Sequence, residues 1–152
     1  MRKIISFIIV VLAVVIIFMY RNEPVDLDRQ IPAEVMASYF NGMQSMEDGI
    51  QYRIVRRGTG RTPGLFDKVM VNYRGFFKDG RVFDSSYKVK QPAIFQVNAV
   101  IPGWTKILMN MKEGGLWEVV IPARQAYGSS GAGNLIPPDT DLCFQIEFLK
   151  IY

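Results

Sequence analysis

The apolar and polar positions divide the chain into stretches of different period. Ile4 to Tyr20 is apolar throughout except for Ser6, with Arg2 and Lys3 before it and Arg21 after it. A run of that length is at the short end of what crosses a hydrocarbon core. It ends in Phe18-Met19-Tyr20, bulky where a signal-peptide cleavage site wants small residues; no A-x-A follows, and no cysteine stands nearby for lipidation. Residues 1–20 therefore predict an uncleaved signal anchor, single-pass in the cytoplasmic (inner) membrane. The basic pair at the start places the N-terminus in the cytoplasm, and the rest of the chain in the periplasm or outside.

Residues 21–44 form the second stretch and read as a tether. Arg21 to Gln30 is polar, with Pro24 and three acids, and carries no apolar period. Pro32 suits the first turn of a helix, where its missing N–H costs nothing. Val35, Met36, Tyr39 and Phe40 then fall on one helical stripe, closed by Asn41-Gly42. The stripe is expected to pack on the domain that follows.

From Ile50 the period becomes two. Strands are predicted over residues 50–57, 68–73, 94–97, 116–121 and 142–151. In the last, Leu142, Phe144, Ile146 and Phe148 share one face and should line a core. Gly58-Thr59-Gly60, Pro63-Gly64, Lys78-Asp79-Gly80 and Gly114-Gly115 supply turns. One further segment, about residues 103–112, has helical spacing, with Trp104, Ile107, Leu108 and Met111 on a single face. A mainly antiparallel sheet with one short helix predicts an α+β domain over residues 45–152, long enough to bury one core.

Composition narrows the chemistry. The 152 residues contain no histidine, which removes Ser-His-Asp and Cys-His hydrolases and His-ligated zinc. One cysteine, Cys143, makes neither an internal disulfide nor a CxxC pair, and reads as a small core or strand residue. The net charge of +4 comes from scattered single residues rather than a basic stripe, so nucleic acid is not an expected partner. No phosphate-binding glycine loop is present, and no metal or cofactor is called for.

Three short motifs remain. Phe83-Asp84-Ser85-Ser86 could be a turn cap, since Asp and Ser bond nearby backbone readily. Val100-Ile101-Pro102-Gly103-Trp104 places an indole at a helix start, where a core tryptophan is the plainest reading. Ala126-Tyr127-Gly128 leads into a Gly/Ser loop that ends at Ile136-Pro137-Pro138. Each is weak alone, but their order and spacing are not. VNYRGFFKDGRVFDSS (Val71 to Ser86), FQVNAVIPGW (Phe95 to Trp104) and IPARQAYGSSGAGNLIPPDTDLCFQIEFLKI (Ile121 to Ile151) together resemble the FKBP-type peptidyl-prolyl cis-trans isomerases. The lead-in GIQYRIVRRGTG (Gly49 to Gly60) fits the same family's first strand, and PAIFQV with VIPGW is most like the bacterial macrophage infectivity potentiator branch.

The resemblance implies a curved antiparallel sheet wrapped on the short helix, with an apolar pocket for proline between them. Tyr73, Phe83 and Asp84 would line one wall and Val100 and Ile101 another. Trp104 would form the floor, and Tyr127, Leu135, Ile136 and Phe144 the rim and far wall. Catalytic roles would fall to Asp84, Tyr127, Ile101 and Trp104, with the Ile101 N–H and Tyr127 hydroxyl bonding peptide carbonyls. Val89, Ala93, Asn98 and Ala132 depart from the family's best-known members. Val89 replaces an arginine that often pairs with the pocket aspartate, leaving Asp84 to be held by Tyr73 and backbone. Ala93 removes wall area, which bears on macrolide inhibitors more than on turnover.

The residue types also suit the reaction on physical grounds. Rotating an X–Pro bond means losing amide resonance, against a barrier of about 20 kcal/mol, and needs no nucleophile. A site accelerates it by holding the twisted amide better than either planar form. The expected function is thus isomerisation of X–Pro bonds in proline-containing polypeptides folding outside the cytoplasmic membrane. The alternative is a proline-binding chaperone or holdase with little turnover. Residues 21–44 are too short for the long dimerising arm of infectivity-potentiator relatives, so a monomer is expected.

Overall fold

The computed structural model describes residues 30–152. The predicted anchor, residues 1–20, and most of the polar tether lie outside the described residues. Among the described residues no helix is long and apolar enough to cross a membrane.

Helix α1 (Ala33–Tyr39) opens the described chain, entered through Pro32. It is followed by strands β1 (Gln44–Ser45), β2 (Gln51–Arg56), β3 (Lys68–Phe76), β4 (Val82–Ser85) and β5 (Ala93–Gln96). Helix α2 (Pro102–Leu108), β6 (Leu116–Ile121) and β7 (Leu142–Ile151) complete it. All pairings are antiparallel, in the order β1-β2-β6-β7-β3-β4, with β5 also on β3. The order places β3 and β7, the two longest strands, side by side at the centre.

Alternation decides which side of the sheet each side chain serves. Val69, Val71 and Tyr73 of β3, with Leu142, Phe144, Ile146 and Phe148 of β7, face α2 and join Trp104, Ile107, Leu108 and Met111 in the main core. On the opposite face Phe76, Val120 and Cys143 meet Met36 and Tyr39 of α1, with Ile31, Phe40, Met43 and Val82 at the edges. Of the stripe expected to pack on the domain, Met36, Tyr39 and Phe40 do so, closing off one end of the outer face. Farther along, that face carries polar pairs: Arg53 with Glu118, and Asn72 with Glu147.

Four details differ from the sequence-based expectation. The α2 helix ends at Leu108, not near 112: its last turn tightens as the Asn110 and Met111 amides turn back to the Ile107 carbonyl, and Met111 still reaches the core. Strand β3 runs on to Phe76, because its final residues pair with both β7 and β4. Strand β4 lies where the sequence suggested a turn cap. The two-residue β1 carries no periodic signal at all.

Candidate active site

Tyr73, Phe83, Trp104 and Phe144 come from β3, β4, α2 and β7, and their rings close a box on the α2 side of the sheet. Trp104 lies perpendicular to Tyr73 at 5.2 Å between ring centroids and nearly perpendicular to Phe144 at 5.4 Å. Phe83 meets Phe144 edge-on at 5.7 Å. Such edge-to-face contacts set the positive rim of one ring against the negative face of the next, which fixes orientation as well as area.

Two glycines make the box possible. Gly75 faces the box from β3, and a Cβ there would stand 2.6 Å from Phe83 Cζ and 2.8 Å from Phe144 Cε1. The missing side chain is the space the two rings occupy. Gly103, buried in the first turn of α2, sits against the Ile121 side chain with no room for a Cβ. That contact brings α2 down onto β6 and sets the height of Trp104, which is 4% exposed.

The polar groups gather beside Tyr73. Its hydroxyl donates to Asp84 Oδ2 at 2.6 Å. Asp84 therefore does not cap a turn. It projects from a strand paired to β3 opposite Gly75, and of the two holders the resemblance implied, Tyr73 and backbone, it is Tyr73 that bonds its carboxylate. Burial pushes the Tyr73 phenol up first, and the hydrogen bond to Asp84, its charge and nearby Tyr127 push it further. The phenol stays protonated, so it is the donor. The local turn signal was nonetheless real at Ser85, whose Oγ accepts the Tyr87 N–H, whereas Ser86 Oγ accepts the distant Tyr73 N–H of β3 at 2.9 Å.

Val100 and Ile101 pack against the core just before α2. The Ile101 carbonyl accepts from Trp104 and Thr105, and no turn or loop bond among the described residues takes its N–H. Tyr127 and Leu135 stand on the 122–141 loop, 42% and 56% exposed, while Ile136 is 3% exposed and belongs to the core. The loop is folded on itself: Ala132 and Ile136 exchange both backbone bonds, and Asp139 N–H reaches the Gly128 carbonyl. At its base the Asp141 carboxylate accepts from Ala123 N–H at 3.0 Å and Lys78 Nζ at 2.7 Å, joining both ends of the loop to the β3–β4 turn. Of the predicted site residues, Tyr73, Phe83, Trp104 and Phe144 form the box, Asp84 is tied to it through Tyr73, Val100, Ile101 and Ile136 belong to the same core, and Tyr127 and Leu135 stand on the exposed loop.

Sequence reasoning missed Phe95. Its ring meets Tyr73 at 5.8 Å and Trp104 at 5.5 Å, behind the box and beside the partly buried Ala93. Its place on a short strand two residues after Ala93 was the available signal. It missed Gly75 as well, whose role appears only once two distant rings converge on it. Val89, by contrast, is 70% exposed.

This arrangement is an apolar aromatic cluster with a carboxylate–phenol pair at one edge, chemistry suited to an apolar ring that carries a polar amide.

Comparison with known proteins agrees. The FKBP-type peptidyl-prolyl cis-trans isomerase family profile matches residues 60–149. The FKBP-type 22 kDa peptidyl-prolyl cis-trans isomerase of Escherichia coli is 47% identical over 110 residues, 72% of this chain and 53% of that one. The outer membrane protein MIP of Legionella longbeachae is 46% identical over 110 residues, 72% of this chain and 47% of that one. The chain thus spans about half the length of the curated relatives it matches. A crystal structure of a peptidyl-prolyl cis-trans isomerase from Pseudomonas syringae superposes with a TM-score of 0.69 at 39% identity, covering 81% of this chain and 98% of that one. With its profile match falling across the strands and loops that build the aromatic box, the chain belongs to the FKBP-type peptidyl-prolyl cis-trans isomerases, in the branch of the macrophage infectivity potentiators.

Proposed function

We propose that this protein accelerates cis-trans isomerisation of X–Pro bonds in polypeptides folding outside the cytoplasmic membrane, to which residues 1–20 anchor it. The observation that carries the reading is the aromatic box with the Tyr73–Asp84 pair at its edge. The proline ring enters the box over Trp104, between Phe83, Phe144 and Tyr73. The amide preceding it leaves water, which favours the twisted, less polar form over the planar ones. The Ile101 N–H and the Tyr127 hydroxyl donate to carbonyls of the bound chain, and Asp84, oriented by Tyr73, adds a fixed polar group near the rotating bond. No covalent intermediate and no cofactor takes part.

The envelope location draws support from the apolar N-terminal run and from the name of the Legionella relative, an outer membrane protein. A monomer is proposed because α1 already occupies the apolar end of the outer sheet face.

The test is turnover by the full chain in detergent, on a short peptide with a hydrophobic residue before proline. A clear rate enhancement, abolished by tacrolimus and by Asp84→Leu, is the expected result. Binding of the peptide without enhancement would replace the isomerase by the proline-binding holdase. Resistance to tacrolimus with normal turnover would point to the wall area lost at Ala93.

A further inference from the structure

The segment before the family's matched region is built into the back of the pocket. Helix α1 lies across the outer face of the sheet, behind the strands that carry Gly75 and Phe144. From it Tyr39, 6% exposed, passes its hydroxyl to the Phe144 carbonyl at 2.8 Å and the Val119 carbonyl at 3.1 Å. A phenol carries one hydrogen, so this is a single bond shared between carbonyls of adjacent strands. Val119 and Phe144 are directly paired in the β6–β7 ladder. Burial, chiefly, with the nearby charge of Glu118, pushes the phenol up, so at neutral pH it is a donor.

The ring is fixed as firmly as the hydroxyl. Phe40 and Phe76 meet it edge-on at 5.4 and 5.1 Å, and the Arg53 guanidinium stands 6.0 Å from its centroid. The same Arg53 donates to the Asn41 carbonyl just after the helix. Tyr39 is thus locked from several sides, and its one polar atom grips the main chain of a residue whose side chain is a pocket wall.

We infer that Tyr39 is a positioning residue for the proline pocket, its hydroxyl holding the Phe144 main chain, and with it the Phe144–Phe83 wall, from behind the sheet. This rests on the isomerase reading of the pocket. It assigns a part in the reaction to a helix outside the matched region, 105 residues from the group it steadies.

The experiment is Tyr39→Phe in the full chain, which keeps the ring and removes only the hydroxyl. Turnover is measured well below the variant's thermal midpoint, alongside amide exchange. The expected result is a kcat lower by roughly three- to tenfold, below the hundredfold that an ångström of misplacement costs. KM stays unchanged, and exchange quickens at residues 143–145 but not in β2. Wild-type kcat with only a lowered midpoint would make the hydroxyl merely structural and overturn the inference. If the wild type itself shows no turnover, the isomerase reading has failed. Exchange then decides the remainder: faster exchange confined to 143–145 upholds Tyr39's grip on the wall, and unchanged exchange removes it.

Discussion

Gly75→Ala is the sharpest test of how the aromatic box is built. The added methyl would stand 2.6 and 2.7 Å from two ring carbons of Phe83 and 2.8 Å from one of Phe144. Ordinary van der Waals contact begins at 3.4 Å, so the methyl lacks 0.8 Å on one side and 0.6 Å on the other. Backbone relief is restricted, because Gly75 is paired on both sides, to Asp84 and to Phe144. The rings must therefore separate, and overpacking of this kind costs about 1–3 kcal/mol. The displacement falls on two walls of the proposed proline site, and misplacement of up to an ångström costs as much as about a hundredfold in rate. Chemical denaturation should show the stability loss, and a peptide assay at a temperature where the variant is fully folded should show a larger relative loss of turnover. The double variant Gly75→Ala/Phe83→Leu frees the space and should recover much of the stability but not the activity. Gly75→Ala with wild-type stability and wild-type turnover would refute the placement of both rings.

Other expectations follow from the same contacts. Tyr127→Ala should cut turnover on a proline peptide while leaving the circular dichroism and unfolding midpoint unchanged, since the side chain is 42% exposed. Trp104→Ala should destabilise by about 3–5 kcal/mol in urea unfolding, as for other buried aromatics, through loss of contacts with Tyr73, Phe95 and Phe144. At Asp141 burial pushes the carboxyl up, but Lys78, the Ala123 N–H and Arg124 outweigh it and hold it below the ordinary range. Its contribution is present above the unfolded carboxylate pKa, about 3.9, and is lost as pH falls through the lower folded value. Asp141→Asn should therefore be less stable than wild type at pH 7, by under about 1 kcal/mol given its exposure, and the gap should close below pH 4.

The sequence made the long, regular elements legible and hid the short ones. Leu142, Phe144, Ile146 and Phe148 announced β7 because one continuous core lies on one side of it. Cys143 is the small core and strand residue it was expected to be, but it is buried on the other face because α1 covers it, which is a fact about tertiary packing rather than period. Strand β4 was obscured by chemistry that points two ways. Asp and Ser favour turns, and only pairing with β3 makes Val82–Ser85 a strand. The site residues came from motif order. What gives them their geometry was less legible: Phe95 carried only its place on a short strand after Ala93, and Gly75 and Gly103 matter only where segments distant in sequence meet. The α1 stripe was readable, but that Tyr39 reaches through the sheet backbone was not: a tyrosine on an apolar stripe is ordinarily just area.

The covering of Cys143 by α1 has an experimental use. This is the sole thiol in the chain, fully buried, and burial chiefly pushes its pKa up to about 12. Under native conditions near pH 8 it should ignore alkylating reagents until α1 lifts away. Its labelling rate, divided by that of an unfolded control, then gives the population in which the helix is undocked. The protein carries its own single-site clock for that motion, readable by mass spectrometry without any substitution.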